Sequence, residues 1–499
     1  MGNTRSSGEV SDAEKIQEAR REFNAILDYI LQEALGLEIH KVEHGIYQRL
    51  LRLGRILLEP FVLATGIGKI GEALIDRDGT VYRYFRDSGC SYLSIFGEIP
   101  IVRAYYRKER RDGLFPLDAR LNLPERKYSY VLQDWMAYKA VDTSYERAAA
   151  WVNRHLFLEV AHRPIERITR DCPACVEEFM DALPSPPKES EGSILVHTVD
   201  CKGVRMRPEE RNPDAVKTED KPGEKKMACV AQTYSIDPHY PSKEVIVDSF
   251  FGLGGAGTVK QKDPHRPRAL HRRTFVSLKQ PKSEVFRSSS RSAKARIREG
   301  TQEKLVIMDG EKALWNKSSE FLPDRPEAID VTHVVEKLRL AGRLHYGHTS
   351  AAEEYGRERI LLLLEGKVDD VIEDFEAAME DGTLAGKDGE ELKSKALGYF
   401  RNSRDRMAYD QYLAKGLPIA SGIIESTCNC LINIRMEGAG MFWSTDGAEA
   451  ILKLRGVFLD ELWDEFWAFR TQRERKRLYA KYDKVQELDF NNPAMARAA

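Results

Sequence analysis

The sequence predicts an α+β fold: a mixed sheet with helices on both faces, split by an all-helical insertion and preceded by a helical and β-hairpin region. Three observations lead there. Residues 194–199 and 305–308 are continuous apolar runs, as strands covered on both faces require, and aspartates follow them at Asp200 and Asp309. Residues 334–414 carry a charged helical pattern, with Ile360 to Leu364 and Val371-Ile372 set among acids. Residues 416–422 break that pattern ahead of a helix that opens with Ile423-Ile424-Glu425.

The elements follow in order. Residues 12–65 read as two amphipathic helices, with Ile26, Leu27, Ile30 and Leu31 recurring at helical spacing, as do Leu50, Leu53 and Leu57. Asp78-Gly79 is a hairpin turn signal, and strands are expected at 81–85, 92–96 and 99–106, with a turn at Gly97-Glu98. Residues 124–170 return to helix. Thr143-Ser144-Tyr145-Glu146 is a capping signature, and the outline of helix, tight turn and second helix fits either a helix-turn-helix or an ordinary helical hairpin. Pro164 would break the second helix unless that helix starts late. In that event the hairpin bearing Arg103 and Arg107 becomes the better DNA reader.

Pro, Ser and charge mark 181–193 as a linker. Beyond it, strands are expected at 194–199, 227–236, 244–251, 305–308 and 328–331, with a loop at 207–226 and a basic connection at 260–298. Helices are expected at 423–436 and 448–470. The expected segments are therefore 1–120, 121–180, the linker, a first core part at 194–333, the insertion at 334–415, a second core part at 416–470 and a basic tail at 471–499.

A chain of 499 residues, 42% hydrophobic, has material for several cores. It has no apolar run of about 18 residues, so no membrane partner is expected. No signal-peptide pattern opens it. The seven cysteines suit a reducing compartment, and a cytoplasmic, nucleoid-associated location is expected. The net charge is −2, but charge is segregated: residues 260–298 hold thirteen Lys or Arg against Asp263 and Glu284. That run can track a DNA backbone and order on binding. Arg266, Arg268, Arg272 and Arg273 are its candidate contacts, with Lys202 and Arg435 elsewhere. Trp443 could stack on a base or pack in the core.

Asp200, Asp309 and Glu425 supply three carboxylates from distant parts of the chain. Such a set can hold two Mg²⁺ ions about 4 Å apart and cut or rejoin a phosphodiester. His197, on the same strand as Asp200, reads as structural. Asp330 and His333 follow the fifth strand, where a His can orient a phosphate.

Those residues carry a wider resemblance. Val199-Asp200-Cys201-Lys202-Gly203, Met308-Asp309-Gly310, Asp330-Val331-Thr332-His333 and Gly422-Ile423-Ile424-Glu425-Ser426 occur in the order seen in DDE transposases of bacterial insertion sequences. Within these, the chain resembles the Kra group, related to the Mutator superfamily. Ile95-Phe96-Gly97-Glu98, Phe115-Pro116-Leu117-Asp118 and Arg435-Met436-Glu437-Gly438 extend the likeness. The resemblance implies a ribonuclease H-like core, with Asp200, Asp309 and Glu425 as catalytic metal ligands and His333 assisting. It also implies Mg²⁺ (or Mn²⁺) as cofactor, double-stranded DNA (terminal inverted repeats and target) as partner, and a homo-oligomer on DNA. A ribonuclease H-like nuclease without strand transfer, or a catalytically idle DNA-binding descendant, remains the alternative.

Overall fold

The computed structural model describes residues 12–108, 112–211, 224–251, 267–297, 303–438 and 440–485. The chain divides into two compact units, Met1–Asp171 with Asp464–Ala499, and Cys172–Trp463. Among the described residues no helix is long and apolar enough to cross a membrane.

The first unit opens with α1 (Asp12–Asp28) and α2 (Ile39–Ala64). Two ion pairs zip them antiparallel, Lys15 to Glu59 at 2.9 Å and Glu22 to Arg52 at 3.2 Å, and Glu33, just past α1, pairs with Arg49 at 3.4 Å. Tyr29 lies where a side chain at position 45 would be, since a Cβ on Gly45 would stand 2.2 Å from its hydroxyl. A four-stranded antiparallel sheet follows, β1 (Ala73–Ile75), β2 (Val81–Ser94), β3 (Gly97–Lys108) and β4 (Asp112–Leu114), in that spatial order. The β2–β3 turn falls at Ile95-Phe96, two residues before the expected Gly97-Glu98. Ser94 fixes it: its hydroxyl accepts from the Phe96 amide at 3.1 Å and donates to the Gly97 carbonyl at 2.9 Å.

After α3 (Pro116–Leu121), the helices α4 (Tyr130–Ala140), α5 (Tyr145–Leu156) and α6 (His162–Arg170) share a core of Leu132, Met136, Val152, Ile165 and Ile168. Ser144 caps α5 by accepting the Arg147 amide, as a Ser N-cap should. Asn153 clamps the α5–α6 turn through two bonds to the backbone of Val160, at 2.8 and 2.9 Å. Helix α6 does start late. Pro164 is its third residue, where no intrahelical N–H is needed, so the helix is intact and Arg163 and Arg167 lie exposed on it. In the β-hairpin, by contrast, Arg103 is paired with Asp118 and sits 4.0 Å from the Phe115 ring.

The second unit begins with α7 (Pro173–Ala182), ahead of the Pro/Ser-rich stretch rather than after it. The reason is packing: Glu177 of α7 pairs with Lys453 and accepts from Gln280 at 3.0 Å. The stretch itself is docked, with the Ser185 hydroxyl donating to the Ala295 carbonyl at 2.8 Å.

The core sheet holds β5 (Ile194–Arg205), β6 (Lys225–Ile236), β7 (Leu270–Ser277), β8 (Glu303–Met308) and β9 (Glu327–Ile329). Their spatial order is β7-β6-β5-β8-β9, with β6 antiparallel to both neighbours and β5, β8 and β9 parallel. The chain is thus α+β, with the strand order and directions expected of a ribonuclease H-like core. Helices α8 (Lys243–Phe251), α9 (Lys282–Arg296) and α10 (Lys312–Phe321) lie between strands. The insertion comprises α11 (Val331–Tyr346), α12 (Ser350–Leu364), α13 (Val368–Glu380), α14 (Gly386–Leu392), α15 (Gly398–Ser403) and α16 (Tyr409–Ala414). Then come α17 (Gly422–Cys428) and α18 (Ile434–Met436), one helix joined by a π turn at Asn429–Asn433, and α19 (Thr445–Leu459). Helix α20 (Trp463–Tyr479) leads back into the first unit.

Three expectations fail in this unit. Residues 244–251 form helix α8, not a strand: Ile246, Val247 and Phe251 are buried while Val245 is exposed, and Phe251 fits against Gly356 of α12. The described part of the basic run is no open loop but β7 and α9, both built into the core. The helix expected at 448–470 is two helices, broken where Glu461 takes a positive φ of 61°.

Candidate active site

The sheet decides which side chains can meet. Thr198 on β5 pairs with Gln232 on β6, so the two share a face, and Gln232 donates to the Thr427 hydroxyl of α17 at 3.2 Å. Asp200 is two residues along β5 and therefore points to that same face, where it meets Cys428 of α17, about one turn after Glu425. His197 points the other way, toward α9. Its Nε2 lies 2.9 Å from the Ser289 hydroxyl, and burial drives its pKa down to about 3, which makes it a structural histidine.

Asp200 is not at a strand end. The antiparallel ladder with β6 runs on to Arg205, but the parallel ladder with β8 stops at the pair Val199 and Met308. Asp200 and Asp309 are the next residues on both strands, so their backbones lie on the order of 5 Å apart. Asp330 follows Ile329, the partner of Met308 on β9. Asp200, Asp309 and Asp330 therefore stand side by side where the parallel ladders end, and α17 brings a fourth acid, Glu425.

Among the described residues, the donor set whose ligand atoms all lie within 4.8 Å of one another is Asp330, His333 and Glu425. Of the predicted trio only Glu425 belongs to that set; Asp200 and Asp309 lie outside it, although the Asp200 charge raises the pKa values of both Asp309 and Glu425. Asp330 is fully buried and caps α11 by accepting the Thr332 amide at 2.8 Å. Its other oxygen accepts the Ser421 hydroxyl, which ties the start of α17 to the end of β9.

These acids are strained as charges. Burial pushes the Asp309 carboxyl up; the Glu311 amide that donates to it at 3.0 Å opposes this, Asp200 adds to it, and His333 opposes it. Burial likewise raises Glu425, followed by the charge and hydrogen bond of Asp330 and by Asp200, with His333 opposing. Burial works to lower His333, but Asp330, Glu336 and Asp309 outweigh it and the net shift is upward. The Cys428 thiol is raised by burial and then by the neighbouring Asp200 carboxylate. Asp309 and Glu425, held above their usual range beside further acids and an imidazole, have the donor chemistry of a divalent-cation site.

Sequence reading missed Tyr399. It comes from α15 of the insertion, and its ring lies where a Cβ on Gly310 would be, 2.2 Å away. Its hydroxyl is buried without a hydrogen-bond partner among the described residues; burial, then Asp309 and Asp330, raise its pKa. No residue spacing announces this contact, because it joins points about ninety residues apart through a glycine.

The expected DNA contacts fare unevenly. Lys202 is exposed on β5, two residues beyond Asp200 and on its face. Arg268 is exposed too, whereas Arg266 lies outside the described residues. Arg272 is spent on the Leu459 carbonyl at 2.6 Å. Arg273 is buried, donating to Ser292 and the Pro184 carbonyl, so it has no phosphate to meet. Trp443 and Arg435 are core residues as well. The indole donates to the Met436 carbonyl at 3.1 Å, its backbone pairs with Arg205, and the buried Arg435 guanidinium lies 4.9 Å from its ring.

The raised acids fix the sign of a pH effect. Below the unfolded carboxylate range of about 4, protonated Asp309 and Glu425 favour the folded metal-free state; that contribution is lost as pH rises through their raised folded values. At pH 8 the metal-free protein should therefore melt higher as Glu425→Gln than as wild type. Mn²⁺ should raise the wild-type melting temperature by several degrees, about 2.7 kcal/mol at a hundredfold excess over Kd, and leave the variant unmoved. The wild-type gain should shrink on acidification as protons displace the cation. Differential scanning fluorimetry reads all three.

No protein-family model matches the chain, and no curated protein matches it.

Proposed function

We propose that the chain is a metal-dependent DDE transposase that binds the terminal inverted repeats of its element, cuts there and joins the freed ends to target DNA. The observation that carries this reading is the close group of Asp330, His333 and Glu425, with Asp200 and Asp309 adjacent in register where the parallel ladder of β5 and β8 ends. A merely structural set would bury one paired acid. Asp309 and Glu425, both raised by burial and by neighbouring acids, are costly to ionise unless a cation relieves them. Asp200, Asp309 and Glu425 would hold Mg²⁺ or Mn²⁺, which would activate the attacking oxygen and stabilise the leaving one.

The other residues take roles that their surroundings allow. His333, biased toward its cationic form, is placed to orient a scissile phosphate. Lys202 offers an exposed ammonium beside Asp200. Asp330 positions Glu425 by fixing both α11 and α17. In the first unit, α5 and α6 supply a helix-turn-helix outline, and Arg163 and Arg167 stand one turn apart on the exposed face of α6. That face suits a major groove better than the hairpin, whose Arg103 is already engaged.

The test is a strand-transfer assay. Full-length protein is incubated with Mn²⁺, linear DNA bearing the repeats that flank the gene, and a supercoiled plasmid. Joined plasmid products are expected. Cutting without joining would favour a nuclease, and end binding without cutting would favour an idle DNA-binding descendant.

A further inference from the structure

Tyr399 reaches the acid cluster from the helical insertion. It stands on α15, which two contacts fasten to α13: Arg401 donates to Glu376 at 3.0 Å, and Phe400 packs on Phe375 with ring centroids 5.2 Å apart. The Tyr399 ring lies against the backbone of Gly310, the residue after Asp309. A Cβ on Gly310 would stand 2.2 Å from its Cε2 and 3.0 Å from its Cζ. Gly310 takes no positive φ, so its missing side chain serves this close approach rather than a turn. The ring's other neighbour is Lys337, one turn beyond His333 on α11, whose ammonium is 5.5 Å from the ring centroid. The hydroxyl, one bond beyond Cζ, is thus held beside the turn that carries Asp309.

Packing does not explain that hydroxyl. Phe375 and Phe400 fill the neighbouring core with plain rings, both fully buried. The Tyr399 hydroxyl is buried too, yet among the described residues it has no partner, an arrangement that costs stability. It remains a donor, because burial and then the charges of Asp309, Asp330 and Glu336 hold its proton on. An acceptor stands nearby. One Asp309 oxygen accepts the Glu311 amide at 3.0 Å, and no described residue donates to the other. We infer that Tyr399 is a positioning residue for the cation site, its hydroxyl donating to the Asp309 carboxylate in the cation-loaded protein. A donor on a ligating carboxylate fixes its orientation and favours its charged form, the form that binds a cation. The helical insertion would then set the angle of one ligand. The inference rests on the proposed reading of Asp309 as a metal ligand.

Mn²⁺ binding to the full-length protein, read from the free-ion signal in electron paramagnetic resonance, tests it without DNA. Tyr399→Phe keeps the ring, so the metal-free melting temperature should hold or rise slightly. Its Mn²⁺ dissociation constant should rise roughly ten- to a hundredfold, as loss of a ligand's hydrogen-bond partner does. Para-aminophenylalanine in place of Tyr399 restores a donor on the same ring and should recover most of that affinity. Phe400→Leu controls for packing: it should melt lower and bind Mn²⁺ as wild type does. Wild-type affinity in Tyr399→Phe overturns the inference and leaves the metal site standing. A loss that para-aminophenylalanine does not restore, or an equal loss in Phe400→Leu, overturns it as well. A wild type that binds no Mn²⁺ overturns the catalytic reading along with it.

Discussion

Asp200→Asn is expected to abolish metal-dependent strand cleavage, by a thousandfold or more on the order of 4 kcal/mol of barrier, while the protein stays folded and still binds DNA. The substitution keeps the shape of the side chain and the acceptor for the Cys201 amide, which reaches Asp200 at 2.7 Å. It removes a negative charge that both Asp309 and Glu425 feel. Asp309→Asn and Glu425→Gln should behave alike. Loss of end binding in step with cleavage would instead make Asp200 a structural residue.

Arg296→Ala is expected to cost about 3–5 kcal/mol of stability, the usual result of stranding a buried charge. Arg296 is fully buried at the end of α9 and grips Glu191 through two nitrogens, at 3.1 and 2.6 Å; its third nitrogen donates to the His271 carbonyl at 2.9 Å. Denaturant unfolding followed by circular dichroism measures the loss. Replacing both partners, as Arg296→Met with Glu191→Leu, should recover most of it, because no unpaired charge is left behind. The pair also separates two roles of the basic run. If Arg296 served DNA rather than the core, Arg296→Ala would weaken DNA binding with little change in stability.

The parts of the fold that were legible are those whose cause is local. Strands β5 and β8 announce themselves because burial on both faces demands unbroken apolar runs, and Val196, Leu305, Val306 and Met308 are indeed fully buried. Helix α17, which carries Glu425, was legible because a glycine-opened helix follows a clear break. Helix α5 was legible through its Ser144 cap. Strand β7 was not, because its first half is His271-Arg272-Arg273 and its place depends on Ser292, Pro184 and Leu459 to receive those cations. Helix α8 was misread because Val245-Ile246-Val247 is a β-branched run; the groove beside Gly356 overrode that propensity. Trp443 gave no sign of its burial, since the parallel bridge to Met206 that covers it joins segments far apart in sequence. In the site, the carboxylates and His333 were readable as chemistry, but the close grouping of Glu425 with Asp330 needed the sheet register, and Tyr399 needed the insertion folded back onto Gly310.

The most direct test is anomalous scattering from crystals soaked in Mn²⁺. The account predicts cation peaks coordinated by carboxylate oxygens of Asp200, Asp309 and Glu425, lost in Asp200→Asn crystals grown in the same form. Peaks confined to other residues, or none at concentrations that saturate the melting-temperature shift, would contradict it.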